Sequence, residues 1–151
     1  MDDLTLGGSV SVVAVDVNTI LSEGYKYGLQ INSSKCETIS LRGLPPNCAF
    51  ESFLHFTLDT ATLLGAPLSS GQAMTDCLTT RCNDLDRAVD RLKLISAHDA
   101  LVLLKNSLSA PKVQYTLRTA CCDGHELLTT LDNLLRSALC RICNVTLSDH
   151  Q

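Results

Sequence analysis

The chain has 151 residues, 45% hydrophobic and 19% charged, with no Trp, eight Cys and a net charge of −4. That length is usual for one domain, and no apolar run approaches the roughly 18 residues of a membrane span. No basic start leads into an apolar stretch that would direct secretion, so the expectation is an intracellular chain with reduced thiols and no membrane partner.

The chain opens Met1-Asp2-Asp3-Leu4-Thr5-Leu6-Gly7-Gly8. Adjacent carboxylates repel, and a chain keeps them together either as a solvated turn or to hold a cation. Leu4 to Gly8 reads as a strand leaving that turn, with Ser9 as a helix cap. Val10, Val13, Val17, Ile20 and Leu21 have helical spacing, and the helix is expected to end by Gly28. Lys35 to Leu41 reads as a second strand, and Pro45-Pro46 marks a loop. Phe53–Leu58 and Ala61–Leu64 flank Asp59-Thr60 and suggest a hairpin that Gly65-Ala66-Pro67 ends.

After Pro67 the pattern becomes helical. Ser69 with Gln72 matches a capping box. Met74, Leu78, Cys82, Leu85, Val89, Leu92 and Ile95 form one apolar stripe behind it. Ser96 with Asp99 starts a helix through Leu101, Leu104 and Leu108, which Pro111 must bend or restart. Asp123 with Glu126 starts the last helix, which runs to about Cys143. The fold class is therefore α+β, with short strands and one helix over 1–68 and a helical bundle over 69–151.

Three stretches in this order resemble reverse transcriptases of retrotransposons without long terminal repeats. Met1-Asp2-Asp3-Leu4 resembles the end of their Tyr-x-Asp-Asp box. Gly28-Leu29-x-x-Asn32-x-x-Lys35-Cys36-Glu37 resembles the next palm motif, and Leu63-Leu64-Gly65 resembles the primer grip. The resemblance covers essentially the whole chain and implies a partial polymerase palm followed by a helical thumb. It implies that Asp2 and Asp3 hold Mg²⁺ or Mn²⁺, and that Lys35 protonates departing pyrophosphate. It further implies that the hairpin at Leu63, Leu64 and Gly65 faces the primer end. Template–primer of RNA or DNA and a deoxynucleoside triphosphate would be the intact family's partners. The fingers and the first catalytic aspartate of that family have no counterpart here. The expectation is a C-terminal fragment, inactive alone, that binds metal weakly or not at all and has lost the usual partner of its opening strand.

The charges are uneven: residues 1–80 hold 3 Lys/Arg against 8 Asp/Glu, and residues 81–151 hold 9 against 8. A thumb would use Arg81, Arg87, Lys105, Lys112 and Arg118 on nucleic-acid phosphates. Interleaved Asp84, Asp86 and Asp90 equally suit ordinary helical ion pairs. Cys121, Cys122, His125, Cys140 and Cys143 superficially resemble a zinc set, but a CxxC pair on a helix within a Leu-rich stripe fits core packing better. The competing functional class is a non-catalytic helical interaction module derived from a retroelement.

Overall fold

The computed structural model describes residues 4–44 and 50–148, and shows two compact units dividing between Leu58 and Asp59. Residues 59–68 therefore fold with the helices that follow them. The fold is α+β.

In the first unit, α1 spans Val10–Lys26. Ser9 stands at the cap position but its side chain makes no capping bond; its carbonyl accepts the first helical bond, from the Val13 N–H at 3.0 Å. Gly28, at φ 74°, takes the left-handed turn that ends the helix, and the Leu29 N–H closes back on the Gly24 carbonyl at 3.0 Å. Leu4 to Gly8 forms no strand, contrary to the sequence reading. A strand needs a neighbour for its N–H and C=O groups, and the described residues give this one none.

A short 3₁₀ turn, Ser33–Lys35, is capped by Asn32, whose Oδ1 accepts from the Ser34 N–H at 3.2 Å. Strand β1 (Glu37–Ile39) then pairs in parallel with β2 (Leu54–Phe56), with Thr38 opposite His55. The expected hairpin of 53–58 with 61–64 is thus replaced by a non-local pair.

The second unit opens with a smaller hairpin. β3 (Thr62–Leu63) runs antiparallel to β4 (Ala66–Pro67), with Leu63 opposite Ala66. Helix α2 follows at Gln72–Leu92. Ser69 does not cap it. Asp59 does so from 13 residues away: its Oδ1 accepts from the Gln72 N–H at 3.2 Å and its carbonyl from the Ala73 N–H at 2.9 Å. A Cβ at Gly71 would lie 1.7 Å from that Oδ1, so the capping carboxylate leaves room only for glycine there.

The stripe on α2 is buried at Met74, Leu78, Cys82, Leu85, Val89 and Leu92, as its spacing implies, but Ile95 lies beyond the helix and is half exposed. Helix α3 (Ala97–Leu103) is capped by Ser96, which accepts from the Asp99 N–H. It widens into a π turn over Leu104–Leu108, where the Ser109 N–H reaches back five residues to the Leu104 carbonyl at 2.9 Å. Helix α4 (Ala110–Thr119) restarts with Pro111 in its first turn, where a missing N–H does no harm. Helix α5 (Glu126–Cys143) is capped by His125 instead of Asp123; the His125 Nδ1 accepts from the Leu127 N–H at 3.3 Å.

Two buried clusters hold this unit together. In the larger, Cys82, Leu85, Val89 and Leu92 meet Ala100, Leu104, Val113, Leu131 and Ala138. In the smaller, Met74 and Leu78 meet Cys122. Burial pushes the Cys82 and Cys122 thiols up, as expected of cysteines acting as small hydrophobes. All seven described cysteines are free.

Urea denaturation of three variants tests this account. Leu85→Ala, opening a cavity at a residue 1% exposed, is expected to lose about 2–5 kcal/mol. Asp59→Ala should lose about 1 kcal/mol with its cap. Gly71→Ala should lose more than Asp59→Ala, and the double variant less than the sum of the two, because removing the carboxylate relieves the closest clash.

Candidate functional site

The candidate site is built in the second unit from the β3–β4 hairpin and the helices beside it. Ala61, Ala66 and Pro67 are the buried residues of the hairpin, and its Leu64-Gly65 tip is exposed. Leu64 and Gly65 form the two-residue loop with φ of 50° and 78°, the positive pair that a type I′ connection requires. Gly65 adopts this freely. Leu64 does not: a left-handed Leu costs on the order of 1–2 kcal/mol, and its side chain, 83% exposed, recovers little by burial. Something must hold the turn. The Tyr115 hydroxyl on α4 donates to the Leu64 carbonyl at 2.6 Å and ties the tip to the helices.

Of the three residues expected at the hairpin, Leu63 stands at the end of β3 and Leu64-Gly65 make the tip. The sequence reading put Leu64 at the end of an arm and ended the hairpin at Gly65-Ala66-Pro67. Gly65 is instead in the connecting loop, and Ala66 and Pro67 are the returning strand.

Three of the five cations read as phosphate ligands act on one carboxylate. Arg87 hydrogen-bonds to Asp84 directly, and Lys112 in the first turn of α4 and Arg81 on α2 act on the same group through space. The Arg87 bond is the main cause holding the Asp84 carboxyl below its ordinary range; partial desolvation opposes it, and the charges of Arg87, Lys112 and Arg81 add to it. The Arg81 Nε is buried without a hydrogen-bond partner. Lys105 lies elsewhere, lining a groove between α3 and α5, and Arg118 occupies the last turn of α4. Lys93 and Arg141 act on Asp90.

Lys35 ends the 3₁₀ turn of the first unit and is exposed. Asp2 and Asp3 lie outside the described residues. Among the described residues, no group of three or more His, Cys, Asp or Glu side chains is placed to hold a metal ion. No helix among them is long and apolar enough to cross a membrane.

Comparisons with protein-family models, curated proteins and solved structures return no match.

Sequence reasoning missed Tyr115 and Asp59. Tyr115 sits off the buried positions of α4, Val113 and Thr116, and no local pattern marks an exposed aromatic as a tether. Asp59-Thr60 carried a turn signal, but the helix it caps starts beyond the hairpin.

Tyr115→Phe, which removes the donor alone, is expected to lose about 0.5–1.5 kcal/mol in urea denaturation. Leu64→Asn, a residue tolerant of the left-handed region, should gain about 0.5–1 kcal/mol.

The charge cluster makes a separate prediction. Asp84 has its folded pKa depressed, so its contribution is present above the unfolded value and is lost as pH falls through the folded one. In a carboxyl NMR titration, Arg87→Ala should move the Asp84 midpoint upward. An unmoved midpoint would mean that the Arg87 bond is not its main cause.

Proposed function

We propose that this chain is the C-terminal palm-and-thumb segment of a reverse-transcriptase-like protein of a retroelement without long terminal repeats. In this reading it cannot synthesise DNA alone, and its helical unit holds a nucleic-acid backbone. The observation that carries the reading is the exposed Leu64-Gly65 tip, tethered by Tyr115 to the same unit in which Arg81, Arg87 and Lys112 gather. A two-residue tip with its apolar side chain in water offers main chain and a small apolar surface to a strand end. The cations offer sequence-independent attraction to phosphates. Lys35, exposed on a turn, has the freedom a proton donor to pyrophosphate needs. Asp2 and Asp3 would be the metal ligands. When bound, the ions would supply charge stabilisation for nucleotidyl transfer. Positioning and charge stabilisation also depend on the fingers and first catalytic aspartate of the intact family, so no turnover is assigned to this chain.

A second reading, a helical interaction module, is favoured by one observation: both buried clusters lie wholly within residues 59–151. The two readings part on nucleic acid. With a labelled primer–template duplex, the proposal expects micromolar binding. The affinity should fall with salt at a logarithmic slope of about −2 to −3, as two or three phosphate contacts give. Lys112→Glu should weaken binding and flatten that slope. Salt-independent binding, or none, would leave the interaction module as the better reading. No deoxynucleotide incorporation is expected with Mg²⁺ or Mn²⁺, and calorimetric titration with Mn²⁺ should give only millimolar affinity. Micromolar affinity would refute the idea of a dismantled metal site.

A further inference from the structure

His125 is engaged at both ring nitrogens. Its Nδ1 accepts from the Leu127 N–H at 3.3 Å, in the first turn of α5. Its Nε2 lies 3.4 Å from the Thr75 hydroxyl oxygen, in the first turn of α2. The Thr75 hydroxyl donates in turn to the Gly71 carbonyl at 3.4 Å. One ring thus bridges the starts of the two helices whose residues meet in both buried clusters.

These contacts fix the ring's protons. A nitrogen that accepts an N–H carries no hydrogen of its own, so the neutral ring has its hydrogen on Nε2. Nε2 therefore donates to the Thr75 oxygen, which leaves the Thr75 hydrogen for Gly71. A second proton can go only to Nδ1. There it turns the capping acceptor into a donor that faces the Leu127 N–H. It also sets a positive charge at the positive end of a helix dipole.

The surroundings supply no replacement. From α2 the group facing the ring is the uncharged Thr75 hydroxyl, and among the described residues no carboxylate is paired with either ring nitrogen. The carboxylates nearest in sequence are Asp123 and Glu126 on the ring's own segment and Asp76 beside Thr75. Asp76 accepts from the Gln72 side chain at 2.7 Å. The thiols of Cys77 and Cys122 are turned to Thr116 and Met74. What the cap holds is local. Leu127 and Leu128, in the first turn of α5, pack on the smaller cluster of Met74, Leu78 and Cys122. Leu131 and Ala138, the α5 residues buried in the larger cluster, lie beyond that turn.

We propose that His125 is a proton-sensitive latch: the neutral ring joins the starts of α2 and α5, and a second proton on Nδ1 releases the first turn of α5 while the rest of the helix stays packed. The latch belongs to the fold and operates under either functional reading.

An NMR titration of the whole chain tests it, lowering the pH from about 8 until the ring is doubly protonated. Long-range proton–nitrogen spectra should show the Nε2–H tautomer at the start. The Leu127 amide signal should then move in step with the ring. Protection of the Leu128, Thr129 and Thr130 amides against hydrogen exchange should fall about fivefold relative to that of Leu134 and Leu135, the factor expected for one lost cap. His125→Asn keeps a capping acceptor that takes no proton, so both responses should vanish in it. An Nδ1–H tautomer in the unaltered chain overturns the proposal. So does a ring that gains its second proton while the Leu127 amide stays still, or a response that persists in His125→Asn. The tautomer and the Leu127 amide decide the matter in the unaltered chain alone, whether or not the variant folds.

Discussion

Asp59 closes a loop of 13 residues onto the first turn of α2, with its side chain on the Gln72 N–H and its carbonyl on the Ala73 N–H. Much of the second unit depends on where that closure falls. It satisfies N–H groups that a helix start leaves without partners, and it sets the first residue of α2. Setting the start sets the rotation of the helix, and so points Met74, Leu78, Leu85 and Val89 toward the two buried clusters. The hairpin lies inside the same closed loop, so the constraint that starts α2 also brings Leu64 to Tyr115. Gly71 belongs to the arrangement because no side chain fits beside the capping carboxylate.

The division of stability follows from where apolar residues find partners. The clusters in 59–151 bury leucines of α2 and α5 against small residues such as Ala100 and Ala138. Helix α1 buries only Val17 and Gly24, and leaves Val12, Val15 and Leu21 substantially exposed. A helix that apolar is usually covered on more than one side.

What could be read from the sequence was local in origin. The α2 stripe from Met74 to Leu92, the Ser96 cap, the restart at Pro111 and the end of α5 at Cys143 rest on spacing or on neighbours within four residues, and they appear where the pattern put them. Most of the misplaced features depended on distant partners. β1 pairs with β2 in parallel across 14 intervening residues, so no turn signal between them announces it. Ser69 was the nearer cap for α2 but lost to a carboxylate beyond the hairpin. Asp123 was the stronger cap by residue type, yet the His125 imidazole sits closer to the N–H it accepts from. At the candidate site, residue types suggested the cations, but their convergence on Asp84 needed α2 and α4 to be placed together.

The Tyr115 tether and the Arg136 bonds use the same chemistry. In each, one helix side chain holds main-chain carbonyls of a non-helical segment: Leu64 at the hairpin tip, and Leu147 and Ser148 after α5. A carbonyl is offered by every residue, so such bonds leave almost no trace in the sequence of the segment held. They also leave its side chains free. Leu64 keeps its side chain in water while its backbone is held, and Leu147 forms part of a groove wall while its carbonyl is bound. Holding backbone and presenting side chain are separate tasks. Giving the first to the helices lets a short segment keep a defined position without a core of its own.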